Sequence, residues 1–145
     1  SAGSFLDGGG SKPLQRAALP LLAPEHALAE TLAIRDAFLP KRAYLLERCR
    51  EMGLSVDREP DGTFYAFVSL ANLPEPLRDG MAFFRAALER NVICVPGAFF
   101  DVNPGQRRAP RASRFQGYVR LSFGPSLEEV ARGMDRIGEL ITDAR

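Results

Sequence analysis

The stretch Gly117–Ser126, GYVRLSFGPS, carries the reading of the fold. Side chains of a strand alternate between its faces, so Val119, Leu121 and Phe123 share an apolar side while Tyr118, Arg120 and Ser122 share the other. Gly124 and Pro125 end the strand. Ser126, with Glu129 three residues on, has the pattern of a helix capping box. From there Leu127, Val130, Met134, Ile137 and Ile141 keep a helical period. Arg120 is thus a permanent charge inside a strand, on its polar or ligand-facing side. A guanidinium cannot lose its proton to escape desolvation, so its partner is an anion, either a protein carboxylate or something bound. Spacing alone leaves those two open.

Working outward, VICV (residues 92–95) reads as a short buried strand ended by Pro96 and Gly97, and RDGMAFFRAALERN before it as a helix with Met81, Phe84 and Leu88 facing inward. LSVDRE and TFYAFVSL read as antiparallel strands joined by a tight turn at Pro60, Asp61 and Gly62. In the second of these both faces are apolar, which predicts a central strand. Further upstream, EHALAETLAIRDAFLPKRAYLLERCREMG is a long helix with Leu28, Leu32, Leu39 and Leu46 on one face and Gly53 as its stop. Pro40 removes a backbone bond to Asp36 and predicts a kink or two abutting helices. Pro13 opens a first helix of about two turns, limited by Pro20 and Pro24. The fold class is therefore α+β: a small mixed or antiparallel sheet covered by helices and preceded by a long helical arm.

Composition narrows the function classes. With 145 residues, 46% hydrophobic and 26% charged, the chain has enough apolar material for one soluble domain. No apolar run reaches the ~18 residues that span a bilayer, and no signal peptide opens the chain, so a cytoplasmic protein without a membrane partner is expected. A net charge of +1 gives no global attraction to nucleic acid. Cys49 and Cys94 lack metal spacing and have only His26 for company, which predicts buried free thiols and no metal site.

Four local features compete with Arg120 for chemistry. GGGSKP could cradle a phosphate but lacks the Walker spacing and a preceding strand, and reads better as a flexible turn. Lys12 could be offered as a Schiff-base lysine, yet it stands between triglycine and proline, without the rigid desolvation such a lysine needs. The loop with Arg107, Arg108, Arg111 and Arg114 reads as a solvated surface loop before a nucleic-acid patch. GTFYAF reads as core, with the Tyr65 hydroxyl able to reach a pocket.

Taken in order, GSFLDGGGSKPLQRAALPLL (3–22), GTFYAF (62–67), VPGAFFDVNPG (95–105) and YVRLSFG (118–124) resemble the C-terminal part of class I/II aminotransferases, pyridoxal-phosphate enzymes of the aspartate aminotransferase fold. The resemblance implies that Arg120 binds the substrate's α-carboxylate and that Phe64, Tyr65, Pro96, Gly97 and Phe99 line the small-domain side of the pocket. It implies a cross-subunit contact at Gly9, Gly10 and Ser11, within a homodimeric parent that takes amino acid and 2-oxo acid substrates. It divides the chain into a remnant of the large cofactor domain (1–24), an interdomain helix (25–52) and the small domain (53–145). Lys12 and Lys41 are the only lysines, and neither stands in the family's cofactor-lysine context, so no residue here is assigned a catalytic role. The chain then reads as an inactive fragment of a pyridoxal 5'-phosphate aminotransferase. From another class, a stand-alone regulatory module that binds an amino acid through Arg120 remains the alternative.

Overall fold

Four α-helices and three short strands make up residues 10–102 and 113–145, which the computed structural model describes. Helix α1, Lys12–Ala18, has a proline in its first turn, where the missing N–H goes unused, and leads into a 3-10 turn at Leu19–Leu22. Helix α2, Pro24–Met52, runs through Pro40 as one element and not as two abutting helices. Its stop is a Schellman motif: Gly53 takes φ 79°, its N–H bonds the Arg50 carbonyl at 3.1 Å, and Leu54 N–H bonds the Cys49 carbonyl at 2.9 Å.

The chain divides into two units, Ser1–Ala37 and Phe38–Arg145. In the first, none of the described residues is buried, and Leu14, Leu19, Leu21, Leu22 and Leu28 are exposed. Of the four leucines expected on one face of α2, only Leu46 is buried; the helix meets the core through Leu45, Leu46, Cys49 and Met52. Its packing face runs from Phe38, whose ring meets those of Phe64 and Phe123, to Met52.

The second unit is a three-stranded antiparallel sheet, β1 (Tyr65–Ser69), β2 (Val95–Pro96) and β3 (Tyr118–Ser122), in the order β1-β3-β2. The central strand is therefore β3, and β1 is an edge, contrary to the reading from its two apolar faces. LSVDRE does not form the strand expected of it. It gives β1 a single bridge, Ser55 to Ser69, and its end at Glu59, with Pro60, is drawn onto α2. Arg42 donates to the Pro60 carbonyl at 2.7 Å, and both Arg42 and Arg50 pair with Glu59. VICV is likewise shorter than expected: Ile93 is 80% exposed, and pairing is limited to Val95 and Pro96, whose missing N–H cannot extend the ladder.

One face of the sheet supplies Ala66, Val68, Val119 and Leu121 to the core. Helices α2, α3 (Gly80–Glu89) and α4 (Leu127–Asp143) supply Leu45, Phe83, Ala87, Val130, Met134, Ile137 and Ile141. The inward residues of α3 are Gly80, Phe83 and Ala87, whereas Leu88 is exposed and Met81 and Phe84 are half-buried. The phase is set by Gly80, which lies so close to β3 that a Cβ there would stand 2.5 Å from the Tyr118 carbonyl oxygen. The capping box of α4 forms in full: Ser126 Oγ accepts from Glu129 N, and Glu129 Oε2 accepts from Ser126 N at 3.0 Å. Among the described residues no helix is long and apolar enough to cross a membrane.

Candidate functional site

The pleat of β3 decides where Arg120 goes. With Val119 and Leu121 in the core, Arg120 must emerge on the opposite face, where it is half-buried, paired in register with Phe67 of β1 and Val95 of β2. Its guanidinium carbon lies 3.9 Å from the Tyr65 ring centroid and 4.8 Å from that of Phe100. Other arginines of this unit are consumed by acids: Arg42 by Glu59, Arg48 by Asp135 and Arg90 by Asp143. Among the described residues Arg120 has ring partners and no carboxylate partner.

The rings around it form two sets that meet at its guanidinium, one through Phe100 and one through Tyr65. Phe100 meets Phe67 edge-on, with centroids 6.0 Å apart, and Phe67 stacks on Tyr118 at 5.2 Å. Tyr118 Oη donates to Asp57 Oδ2 at 2.7 Å, and this bond pushes the phenol's pKa up. Tyr65 packs against Phe64 at 4.3 Å, and Phe64 stacks in turn on Phe38 at 6.0 Å. Together they make an aromatic wall around the Arg120 guanidinium.

Of the wall residues expected from sequence, Tyr65 touches Arg120 and Phe64 touches Tyr65. Pro96 is buried opposite Val119. Gly97 opens the 3-10 turn Gly97–Phe100, and a Cβ on it would lie 2.5 Å from the Phe115 carbonyl oxygen, so only glycine fits. Phe99 is 69% exposed; the ring against Arg120 belongs to the next residue, Phe100, which the sequence reading missed. A signal for it existed. In a 3-10 turn, residues three apart eclipse, so Phe100 shares the side of Gly97, which abuts β3.

Gly10 and Ser11 belong to the Ser1–Ala37 unit, while Gly9, Arg107, Arg108 and Arg111 lie outside the described residues. The Gly10 carbonyl accepts from Gln15 Nε2 at 3.1 Å, and Ser11 is the N-cap of α1 without a side-chain capping bond. Arg114 is exposed, 5.6 Å over the Phe115 ring. Lys12 is exposed, and the Lys41 ammonium donates to the Gly124 carbonyl at 3.3 Å. Cys49 and Cys94 are free and buried, as expected, and burial pushes their thiols up to about 12 and about 11. Among the described residues no cluster of His, Cys, Asp and Glu could hold a metal ion.

No family model matches the chain. A probable N-acetyl-LL-diaminopimelate aminotransferase of Bacillus subtilis is 32% identical over 124 residues, which is 85% of this chain and 27% of that protein. An aspartate aminotransferase of Thermotoga maritima is 30% identical over 107 residues, 73% of this chain and 23% of its own length. Among solved structures, an aminotransferase from Mycobacterium tuberculosis superposes with a TM-score of 0.68 at 27% identity, over 88% of this chain and 30% of that one. A tetra mutant of Thermus thermophilus aspartate aminotransferase gives 0.66 at 26% identity, over 83% of this chain and 28% of that one. The chain spans less than a third of the length of these relatives. Its relatives and structural neighbours are class I/II aminotransferases of the aspartate aminotransferase fold, and the chain matches their C-terminal part, with the α+β architecture of the small domain.

Proposed function

We propose that this chain is the carboxylate-binding part of a pyridoxal-phosphate aminotransferase, which moves an amino group between an amino acid and a 2-oxo acid. Residues 1–24 would belong to the large domain, 25–52 to the helix between domains and 53–145 to the small domain. The observation that carries the reading is the state of Arg120: half-buried, contacted by two rings, and without a carboxylate among the described residues. Paired N–H bonds to a carboxylate complete such a guanidinium, at roughly 1.5 to 3 kcal/mol each. The chemical role of Arg120 is then to position, holding the substrate so that its reacting carbon is fixed. The aminotransferase kinship supports a cytoplasmic homodimer as the parent, with Gly9, Gly10 and Ser11 near the partner.

The lysines of this chain do not fit a covalently held cofactor. Lys12 stands in solvent in the first turn of α1, and Lys41 is engaged by the Gly124 carbonyl and by the Phe38 ring at 4.8 Å.

Nuclear magnetic resonance of the arginine side chains tests the reading. Pyruvate at millimolar concentration should move the Arg120 Nε–H signal and leave that of Arg42 in place, and Arg120→Gln should abolish the response. Treatment with pyridoxal phosphate and borohydride should give no stoichiometric adduct at Lys12 or Lys41. Micromolar, enantiomer-selective binding of an amino acid by this chain alone would instead favour a regulatory module.

A further inference from the structure

We infer that Tyr65 and Phe100 are positioning residues for Arg120, holding its guanidinium plane so that the N–H groups stay available to a carboxylate; the inference rests on the carboxylate-binding reading above. A half-buried guanidinium must be compensated for lost water. An acidic side chain would do this by taking the N–H groups themselves. An aromatic ring does it through the negative face of its π-system, leaving the in-plane donors free. The Tyr65 centroid at 3.9 Å from the guanidinium carbon is at stacking distance, and Phe100 at 4.8 Å adds a second ring. With ring contact on the plane, the open approach for a carboxylate is along the edge, where two parallel bonds form.

Both rings are themselves fixed. Tyr65 is held by β1, opposite Ser122 of β3, and by the neighbouring Phe64 ring. Phe100 is placed by the turn that begins at Gly97 and is backed by Phe67, which stacks on Tyr118, whose hydroxyl is tied to Asp57. The orientation of Arg120 is thus passed from the backbone to the guanidinium through rigid groups with two side-chain torsions each. The arginine's own stem, with its freely rotating bonds, could not supply it.

The test compares Tyr65→Phe, Tyr65→Leu and Phe100→Leu with the wild-type chain, using pyruvate as the probe and the Arg120 Nε–H signal as the readout. Tyr65→Leu should weaken binding about three- to tenfold, Phe100→Leu about threefold, and Tyr65→Phe less than twofold, since the ring face and not the hydroxyl is used. The upfield ring shift of the Arg120 side-chain protons should be lost in Tyr65→Leu and kept in Tyr65→Phe. Equal pyruvate affinity in the wild type and both leucine variants would overturn the inference and leave the carboxylate reading intact. A wild-type Arg120 signal that ignores pyruvate would overturn the carboxylate reading, and the inference with it. Should Tyr65→Leu unfold, the half-exposed Phe100 provides the same comparison, and unchanged affinity in Phe100→Leu then counts against the inference.

Discussion

The Lys41 ammonium donates to the Gly124 carbonyl at 3.3 Å across 83 positions of sequence, and so joins the middle of α2 to the turn that ends β3. The same ammonium lies 4.8 Å from the Phe38 ring. A hydrogen bond from a charged donor exceeds a neutral one, but Lys41 is only half-buried and water competes for it. Lys41→Met keeps the apolar stem and removes the donor. It should lower unfolding free energy by about 1 kcal/mol, seen as a lower urea midpoint at unchanged slope; an unmoved midpoint would show that this contact contributes nothing.

Two glycines should respond to alanine with opposite signs. At Gly97 a Cβ would meet the Phe115 and Tyr118 carbonyl oxygens at 2.5 and 2.9 Å and Tyr118 Cβ at 2.8 Å. Backbone atoms cannot move aside cheaply, so Gly97→Ala should cost about 2 to 3 kcal/mol as β2 is pushed from β3. At Gly133, inside α4, nothing lies within 4 Å of the added methyl. Gly133→Ala should stabilise by about 0.5 to 1 kcal/mol through helix propensity alone. Thermal unfolding of the two variants checks both signs, and a destabilised Gly133→Ala would contradict the open space described there.

What the sequence made legible was whatever local chemistry determines. The alternation of β3, the capping box at Ser126 and Glu129, and the helix stop at Gly53 all depend on near neighbours, and all form as read. The burial of α3 was misread because Met81, Phe84 and Leu88 have the same helical spacing as Gly80, Phe83 and Ala87. The choice is made by the approach of Gly80 to the Tyr118 carbonyl, a contact from 38 residues away that periodicity does not contain. The place of β1 was misread for a related reason. On the outer face Tyr65 lies against the Arg120 guanidinium, and Phe67, opposite Arg120 in register, packs on Phe100, Phe115 and Tyr118, so two apolar faces do not require a central strand. The outward placement of Arg120 was legible from strand alternation, whereas the contact of Phe100 with its guanidinium depended on the 3-10 geometry after Gly97.

Asp79 ties the first turn of α3 to the turn before β3 with three hydrogen bonds to one carboxylate. As N-cap of α3 it accepts from Met81 N at 3.0 Å and Ala82 N at 2.9 Å, and its other oxygen accepts from Gln116 Nε2 at 2.9 Å. The Gln116 bond, then the backbone bonds, hold its pKa below the ordinary 3.8. A depressed carboxyl contributes stability that is present above its unfolded value and lost as pH falls through the folded one. Asp79→Ala should therefore cost about 1 to 2 kcal/mol at pH 7, and the difference should shrink in acid, as pH falls below the ordinary carboxyl value of 3.8. Urea unfolding at pH 7 and in acid decides; a gap that persists undiminished in acid would mean that the carboxylate's charge is not what the cap uses.

The two buried thiols set an alkaline limit. Burial raises Cys49 from 9.0 to about 12 and Cys94 from 9.0 to about 11, because the thiolate would lose its water in the core. The protonated form is thus favoured by folding, and the corresponding stability is complete below pH 9 and falls as pH rises toward 11 and 12. Two pH units of that fall amount to on the order of 2 kcal/mol per thiol. The native chain should leave both cysteines unmodified by an aromatic disulfide reagent at pH 8, while the urea-unfolded chain consumes two equivalents. Replacing both with alanine should flatten the decline in stability between pH 9 and 11, whatever the cavities cost at neutral pH. Rapid native-state labelling of either thiol, or an unchanged alkaline decline in the double variant, would rule out this account of the core.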